Sequence, residues 1–238
     1  MNTSIKNKII DIAKNNPTEE ICGYIYYGID GKSNILESKN QHLHKNKMFL
    51  TDPSDYIRLS ESTNTIVGVY HSHTIGDETF SESDIEYADT WELPIFVYSL
   101  SSDKWNSYTP MSYAPTLIGR PFCWGFSDCF ELVRDYYRAE KGVNLSDYER
   151  DASFAGSNSS IIIENFEKEG FVKLPDNGLI IKNDIILFKC NTVYPLHLAV
   201  FQGKSRMIHH PMGRLSASCF LDRPWTKKIS MILRYKIN

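Results

Sequence analysis

With 238 residues the chain has room for one large domain or two small ones, and either can bury a real core. Hydrophobic residues make up 42% and charged residues 23%, the balance of an ordinary globular protein rather than a disordered or membrane-embedded one. A net charge of -3 gives no broad basic surface, which removes nucleic acid from the expected partners.

The N-terminal stretch spaces Ile5, Ile9, Ile10, Ile12 and Ala13 at helical intervals among Lys and Asn, predicting a helix over 4–15 and not a signal peptide. No run approaches the roughly 18 apolar residues of a membrane span, so synthesis in the cytoplasm is expected. "CGYIYYGI" reads as a strand, 34–39 as a second, and "TIVGVYHSH" as a β-branched third that ends at His71 and His73. "SESDIEYADTWE" has helical character and "LPIFVYSL" is another buried strand. Residues 105–121 carry Pro110, Pro115 and Pro121 with neither helical nor strand period, which marks a seam. The expected division is 1–110, a linker 111–117, and 118–238.

Beyond the seam, "SDCFELVRDYYRAEKG" predicts a helix closed by Gly142, and 159–169 a second helix stopped by Gly170. Strand-like runs follow in "LIIKNDIILFKC", "LHLAVFQG", "SRMIHH" and "ISMILRYKI". Helices followed by a strand cluster give an α+β domain.

Side chains two apart on a strand face the same side, so His71 and His73 can reach one point. A catalytic zinc takes three protein ligands and keeps one position open, and Asp84 is available as the third ligand. "SESD" also reads as a capping box with Ser81 as N-cap and Asp84 at N3. The two readings are compatible, because a helix starting there would hold Asp84 in a fixed orientation. In the second half, Asp128 can cap a helix, with Glu131 completing a capping box, and leaves Cys129 in the first turn. A helix N-terminus lowers a thiol pKa. His197 is the one polar residue in an apolar alternation and suits a general base. His209 could orient it, with His210 as the competing neighbour that would point the other way. The five cysteines lack CxxC pairing, so neither a disulfide framework nor a cysteine zinc site is expected. Cys22, Cys123, Cys190 and Cys219 read as small buried hydrophobes.

These residues carry two resemblances. "HSHTIGDETFSESD" is similar to the His-x-His, seven-residue gap, Ser-x-x-Asp signature of the JAMM (MPN-type) metallopeptidases, and "EEICGYIYYG" to their early Glu-x-Cys-Gly strand. That resemblance covers about 4–105. It implies Zn2+ held by His71, His73 and Asp84, with Glu20 as proton acceptor and Ser81 stabilising the oxyanion. Thr74 stands where the family usually has proline, which would loosen the loop but removes no ligand. "WGFSDC", "NDIILF", "HLAVFQG" and "MIHH" resemble the NlpC/P60 cysteine peptidases over about 118–238. The implied roles are Cys129 as nucleophile, His197 as base and His209 as third residue. Phe130-Glu131 replaces the Ser-Gly of the usual bacterial form.

The two in series resemble the tail-tip assembly proteins of long-tailed phages, the lambda K-like family. The resemblance implies a two-domain α+β fold. A JAMM/MPN-type sheet with flanking helices precedes a papain-like domain with N-terminal helices and an antiparallel sheet. It also implies a place in the virion tail tip, with tail hub, baseplate and tape-measure proteins as partners. Peptidoglycan peptide is the implied substrate during DNA delivery; processing of tail proteins, or a mainly structural role, is the alternative.

Overall fold

The computed structural model describes residues 1–150, 161–176, 178–189 and 197–236. The start of the predicted 159–169 helix and the end of the predicted strand at Cys190 lie outside the described residues. The fold is mixed α+β, with two sheets. The chain divides into units Asn2–Ala114 and Pro115–Asn238.

In the first unit α1 (Thr3–Asn15) begins where the Asn2 side chain accepts a hydrogen bond from the Ile5 N–H at 3.0 Å. It buries Ile5, Ile9 and Ala13. Strands β1 (Cys22–Tyr27), β2 (Ser33–Ser38), β3 (Thr65–His73), β4 (Ile95–Ser99) and β5 (Lys104–Tyr108) form one sheet in the order β2-β1-β3-β4-β5. All its pairings are antiparallel except β3–β4, which the crossover helix α3 (Glu82–Trp91) makes parallel. A Cβ at Gly68 would fall 2.7 Å from both the Pro94 carbonyl oxygen and the Phe96 ring. Only glycine therefore lets β3 run this close to the start of β4. Tyr24, Phe49, Leu59, Val69, Ala88 and Ile95 share one core cluster.

Two elements here depart from the sequence reading. Helix α2 (Pro53–Ser60) has its start signal in plain view, Asp52 as N-cap and Pro53 in the first turn, but it buries only Leu59 and so shows little apolar period. Strand β5 lies inside the predicted seam. Lys104, Asn106 and Ser107 are polar and exposed while Trp105 and Tyr108 are half-buried, and pairing with β4 settles it as a strand.

In the second unit α4 (Cys129–Lys141) ends at Gly142, whose φ of 64° is the left-handed conformation of a helix stop. Helix α5 (Ile161–Asn165) precedes β6 (Phe171–Lys173), β7 (Ile185–Phe188), β8 (His197–Gly203), β9 (Arg206–His209) and β10 (Ala217–Phe220). The short helix α6 (Arg223–Thr226) and β11 (Ile229–Tyr235) complete the unit. The sheet order is β10-β9-β8-β7-β11-β6, antiparallel throughout. Strand alternation divides the core between the two faces. Leu132, Val133, Tyr136 and Tyr137 of α4 cluster with Ile185, Leu187, Leu198, Val200 and Ile208, whereas Ile186, Phe188, Ala199 and Met207 form a separate cluster.

The predicted strand "LIIKNDIILFKC" is much shorter than its composition suggests. Asn183 has φ of 79° and the Asp184 carboxylate accepts from the Ile181 N–H at 2.8 Å, so a turn occupies the residues ahead of β7.

Candidate functional sites

His71 and His73 occupy the C-terminal end of β3, where alternation points both rings to one side. Between them Ser72 is fully buried and its hydroxyl accepts from the Ile21 N–H at 3.1 Å, locking the strand to the segment before β1. The Ser81 hydroxyl accepts from the Asp84 N–H at 3.3 Å while the Asp84 Oδ2 accepts from the Ser81 N–H at 2.8 Å. This reciprocal capping box starts α3 and aims the Asp84 carboxylate at the rings.

The resulting distances are short. The two imidazole Nε2 atoms are 3.2 Å apart, and the carboxylate oxygens lie 3.6 Å from His71 Nε2 and 3.7 Å from His73 Nε2. A tetrahedral zinc with its usual bond lengths of about 2.0–2.1 Å separates its ligands by about 3.3–3.4 Å. The donor spacing therefore fits that ion. The tautomer fits too. A carbonyl can only accept, so the 2.8 Å contact between His73 Nδ1 and the Asp77 oxygen puts the proton on Nδ1 and leaves the Nε2 lone pair facing the cluster. His71 is fully buried with Phe49 stacked on it at 4.4 Å; burial drives its pKa down to about 3, although the Asp84 charge opposes this. A neutral, rigid imidazole is what a metal ligand requires.

Glu20 is buried, its backbone held by Lys45 and Asn40. Burial, reinforced by the Asp84 charge and opposed by His73, raises its carboxyl to about 7. A carboxyl poised near neutrality can both accept and return a proton. Burial also works against the Asp84 charge, but the neighbouring His73 and His71 rings and the bonds from Ser81 hold its pKa down at about 2. Ser81 is exposed and its hydroxyl also contacts the Ser83 hydroxyl at 2.9 Å. The Thr74 hydroxyl, at the position expected to loosen the loop, instead donates to the Asn46 carbonyl at 2.9 Å and ties two loops together.

In the second unit Asp128 is the N-cap of α4, with Oδ1 accepting from the N–H groups of Phe130 and Glu131 at 3.0 and 2.8 Å. Glu131 does not complete a capping box. Its carboxylate accepts from Arg134 at 2.7 Å and from Arg150 at 3.1 Å, because these buried cations need partners more than the cap does. Arg150 also donates to Asp128 Oδ2 at 2.9 Å and covers the Phe130 ring at 4.5 Å. Burial disfavours the Asp128 charge, but Arg150 and backbone donors outweigh it and hold the pKa below the usual carboxylate range.

Cys129 sits in the first turn of α4, where the nearby Leu198 N–H of β8 is a lesser influence that favours the thiolate. Leu198 immediately follows His197, so the thiol lies beside the strand that carries the base candidate. A helix N-terminus alone favours the thiolate. The structure reverses this: burial, then the Asp128 charge, pushes the thiol up to about 12. His197 is likewise held neutral, down to about 3, by burial. Its Nε2 meets His209 Nδ1 at 2.9 Å, and Trp225 packs on both rings at 5.9 and 5.0 Å. His210 stands edge-on to Phe122 at 5.2 Å, so the structure pairs His209 with His197.

Of the other cysteines, Cys22 and Cys123 are buried, Cys219 is half-buried, and none of the described cysteines forms a disulfide. Cys219 Sγ lies 3.4 Å from His209 Nε2. Sequence reasoning missed this contact, since a cysteine in a strand facing a histidine across a sheet leaves no local signal.

The family model of prokaryotic homologs of the JAB domain matches residues 2–111, and that of the NlpC/P60 family matches 119–234. The chain carries a JAB domain followed by an NlpC/P60 domain. The metal-type cluster lies in the JAB domain, and the Cys129–His197–His209 region in the NlpC/P60 domain. Tail tip assembly protein K of Escherichia phage N15 is 26% identical over 208 residues, 85% of this chain and 80% of that protein. Tail tip assembly protein K of Escherichia phage lambda is 24% identical over 184 residues, 77% of this chain and 88% of that protein. A solved NlpC/P60 family protein from Bacillus cereus superposes with a TM-score of 0.32 at 16% identity, over 94% of this chain and 66% of that one. Among the described residues no helix is long and apolar enough to cross a membrane.

Proposed function

We propose that this chain is a phage tail-tip component with two peptidase sites, of which the NlpC/P60 site cleaves peptidoglycan peptides of the host wall during DNA delivery. What supports the reading is that His71, His73 and Asp84 gather at one point and His197 meets His209, in a chain that aligns over most of its length with two tail tip assembly proteins. Tail hub, baseplate and tape-measure proteins are the partners this implies.

In the NlpC/P60 domain the Cys129 sulfur attacks the scissile carbonyl as its proton passes to His197. Since Nε2 of His197 faces His209, the accepting atom is Nδ1. His197 then returns the proton to the leaving amine, and a water, deprotonated by the same nitrogen, hydrolyses the thioester. In the JAB domain His71, His73 and Asp84 would hold zinc, which when bound supplies the Lewis acidity that makes water nucleophilic at neutral pH. Glu20 takes the proton of the attacking water and delivers it to the leaving amine. The Ser81 hydroxyl, its lone pair engaged by the Asp84 N–H, donates to the developing oxyanion.

Incubation of purified protein with sacculi, followed by mass spectrometry of the released muropeptides, tests the reading. Wild type should release cleaved peptides, while Cys129→Ala and His197→Ala should not. Equal release by Cys129→Ala would remove the thiol from the mechanism.

A second reading, that the domains act mainly as assembly surfaces, draws support from the buried thiol and its pKa of about 12. Particles assembled with Cys129→Ala that infect as well as wild type would favour it.

A further inference from the structure

Strand β10 pairs with β9 so that Ala217 lies opposite His209, and Cys219, two residues on, shares that face of the sheet. Its sulfur is 3.4 Å from His209 Nε2, whose other nitrogen is 2.9 Å from His197 Nε2. Three side chains thus form a row, Cys219–His209–His197, flanked by Trp225.

A neutral imidazole carries one N–H, and burial keeps both rings neutral. Only two proton arrangements satisfy this row. In one, His197 Nε2–H donates to His209 Nδ1, His209 Nε2–H donates to the Cys219 sulfur, and His197 Nδ1 is left bare. In the other, the Cys219 S–H donates to His209 Nε2, His209 Nδ1–H donates to His197 Nε2, and the His197 proton is forced onto Nδ1. The first leaves His197 able to take a proton; the second does not. The half-exposed Cys219 thiol can turn its weak S–H donor to solvent, whereas a buried imidazole N–H needs a partner within the protein. That favours sulfur as acceptor.

We propose that Cys219 is a positioning residue: as hydrogen-bond acceptor for His209 Nε2–H it selects the tautomer pair that leaves His197 Nδ1 free to act as a base. The inference rests on the peptidase reading for its purpose, not for its test.

Nitrogen-15 NMR of the full chain with labelled histidine, above neutral pH, reads each ring's tautomer directly. The relevant signals are identified by their loss in His209→Gln and His197→Gln. Wild type should carry its proton on Nε2 in both rings, and Cys219→Ser should keep that pattern. Cys219→Val should convert both rings to tautomer mixtures. A proton on His209 Nδ1 in wild type, or tautomers unchanged in Cys219→Val, would overturn the inference. Circular dichroism of Cys219→Val and Cys219→Ala checks the fold, and the smaller variant serves if valine disrupts the edge strand. Where wild type cleaves peptide, kcat should fall about tenfold in Cys219→Val with KM unchanged and recover in Cys219→Ser. If the tautomers respond while no variant cleaves anything, the peptidase reading fails and this inference stands.

Discussion

The two sites of this chain are assembled in opposite ways. The JAB-domain cluster comes from one strand end, one turn and one helix cap, all between His71 and Asp84, with only Glu20 arriving from elsewhere. In the NlpC/P60 domain the partners are distant in sequence: Asp128 at a helix cap meets Arg150 from a loop, and His197, His209 and Cys219 meet from three strands. In the first, local hydrogen bonds orient the functional groups. In the second, long-range packing orients them and keeps the two imidazoles neutral, while Asp128 and Arg150 hold each other charged. The lesson is that residue spacing specifies a site well only when the orienting bonds are local.

The sharpest break between the two would be metal content. His73→Ala should lose essentially all bound zinc by elemental analysis, since two ligands rarely retain it. The alkylation rate of Cys129 should not change; a retained zinc would remove His73 from the ligand set. Next in size, Glu20→Gln should keep zinc and lose about 10²–10⁴-fold in turnover of any JAB-domain peptide substrate, because an amide accepts no proton. Wild-type turnover in that variant would exclude Glu20 as the base.

In the NlpC/P60 domain the expected effect is on stability and on its pH dependence. Asp128→Asn separates a buried carboxylate from Arg150 and should cost about 3 kcal/mol at pH 7 in urea unfolding. The Asp128 pKa is lower in the folded state than in the unfolded one. Its stabilisation is therefore complete above the unfolded value of about 3.9 and drains away as pH falls through the folded one. The gap between wild type and variant should accordingly narrow below about pH 4. A gap that stayed constant down to pH 3 would mean that the ion pair does not stabilise the fold. The smallest effect belongs to Thr74→Pro, which restores the residue usual in JAMM proteins and removes the hydroxyl bond to Asn46. It should change the unfolding free energy by no more than about 1 kcal/mol and leave zinc affinity unaltered. A large drop in affinity would make the tie between the two loops part of the site.

The same contrast explains how much could be read in advance. The capping box and the His-x-His pair are stated by residue type and spacing, and α1, β1, β3 and β4 by their apolar periods. The Asp128 cap was legible for the same reason. The pairing of Glu131 with Arg134 and Arg150 was not, because it depends on which cations the fold buries nearby. The elevated Cys129 thiol escaped for a related reason. A helix N-terminus is visible in sequence, whereas the desolvation that outweighs it is produced by the Leu198 and Ile208 strands packed in the same core. Strand β5 and the Cys219–His209 contact exist only through their partners across the sheet.

The β3–α3 crossover has a consequence for folding as well as for chemistry. All three candidate ligands lie on this one connection, so a cation held there closes a short loop between a strand end and the helix after it. Closing a short loop removes little chain entropy, in contrast to clips that join distant segments. Zinc here would act as a local fastener. The apo JAB domain should fold unaided, and metal should slow amide exchange at the C-terminal end of β3 and in the first turn of α3 well before it alters global unfolding.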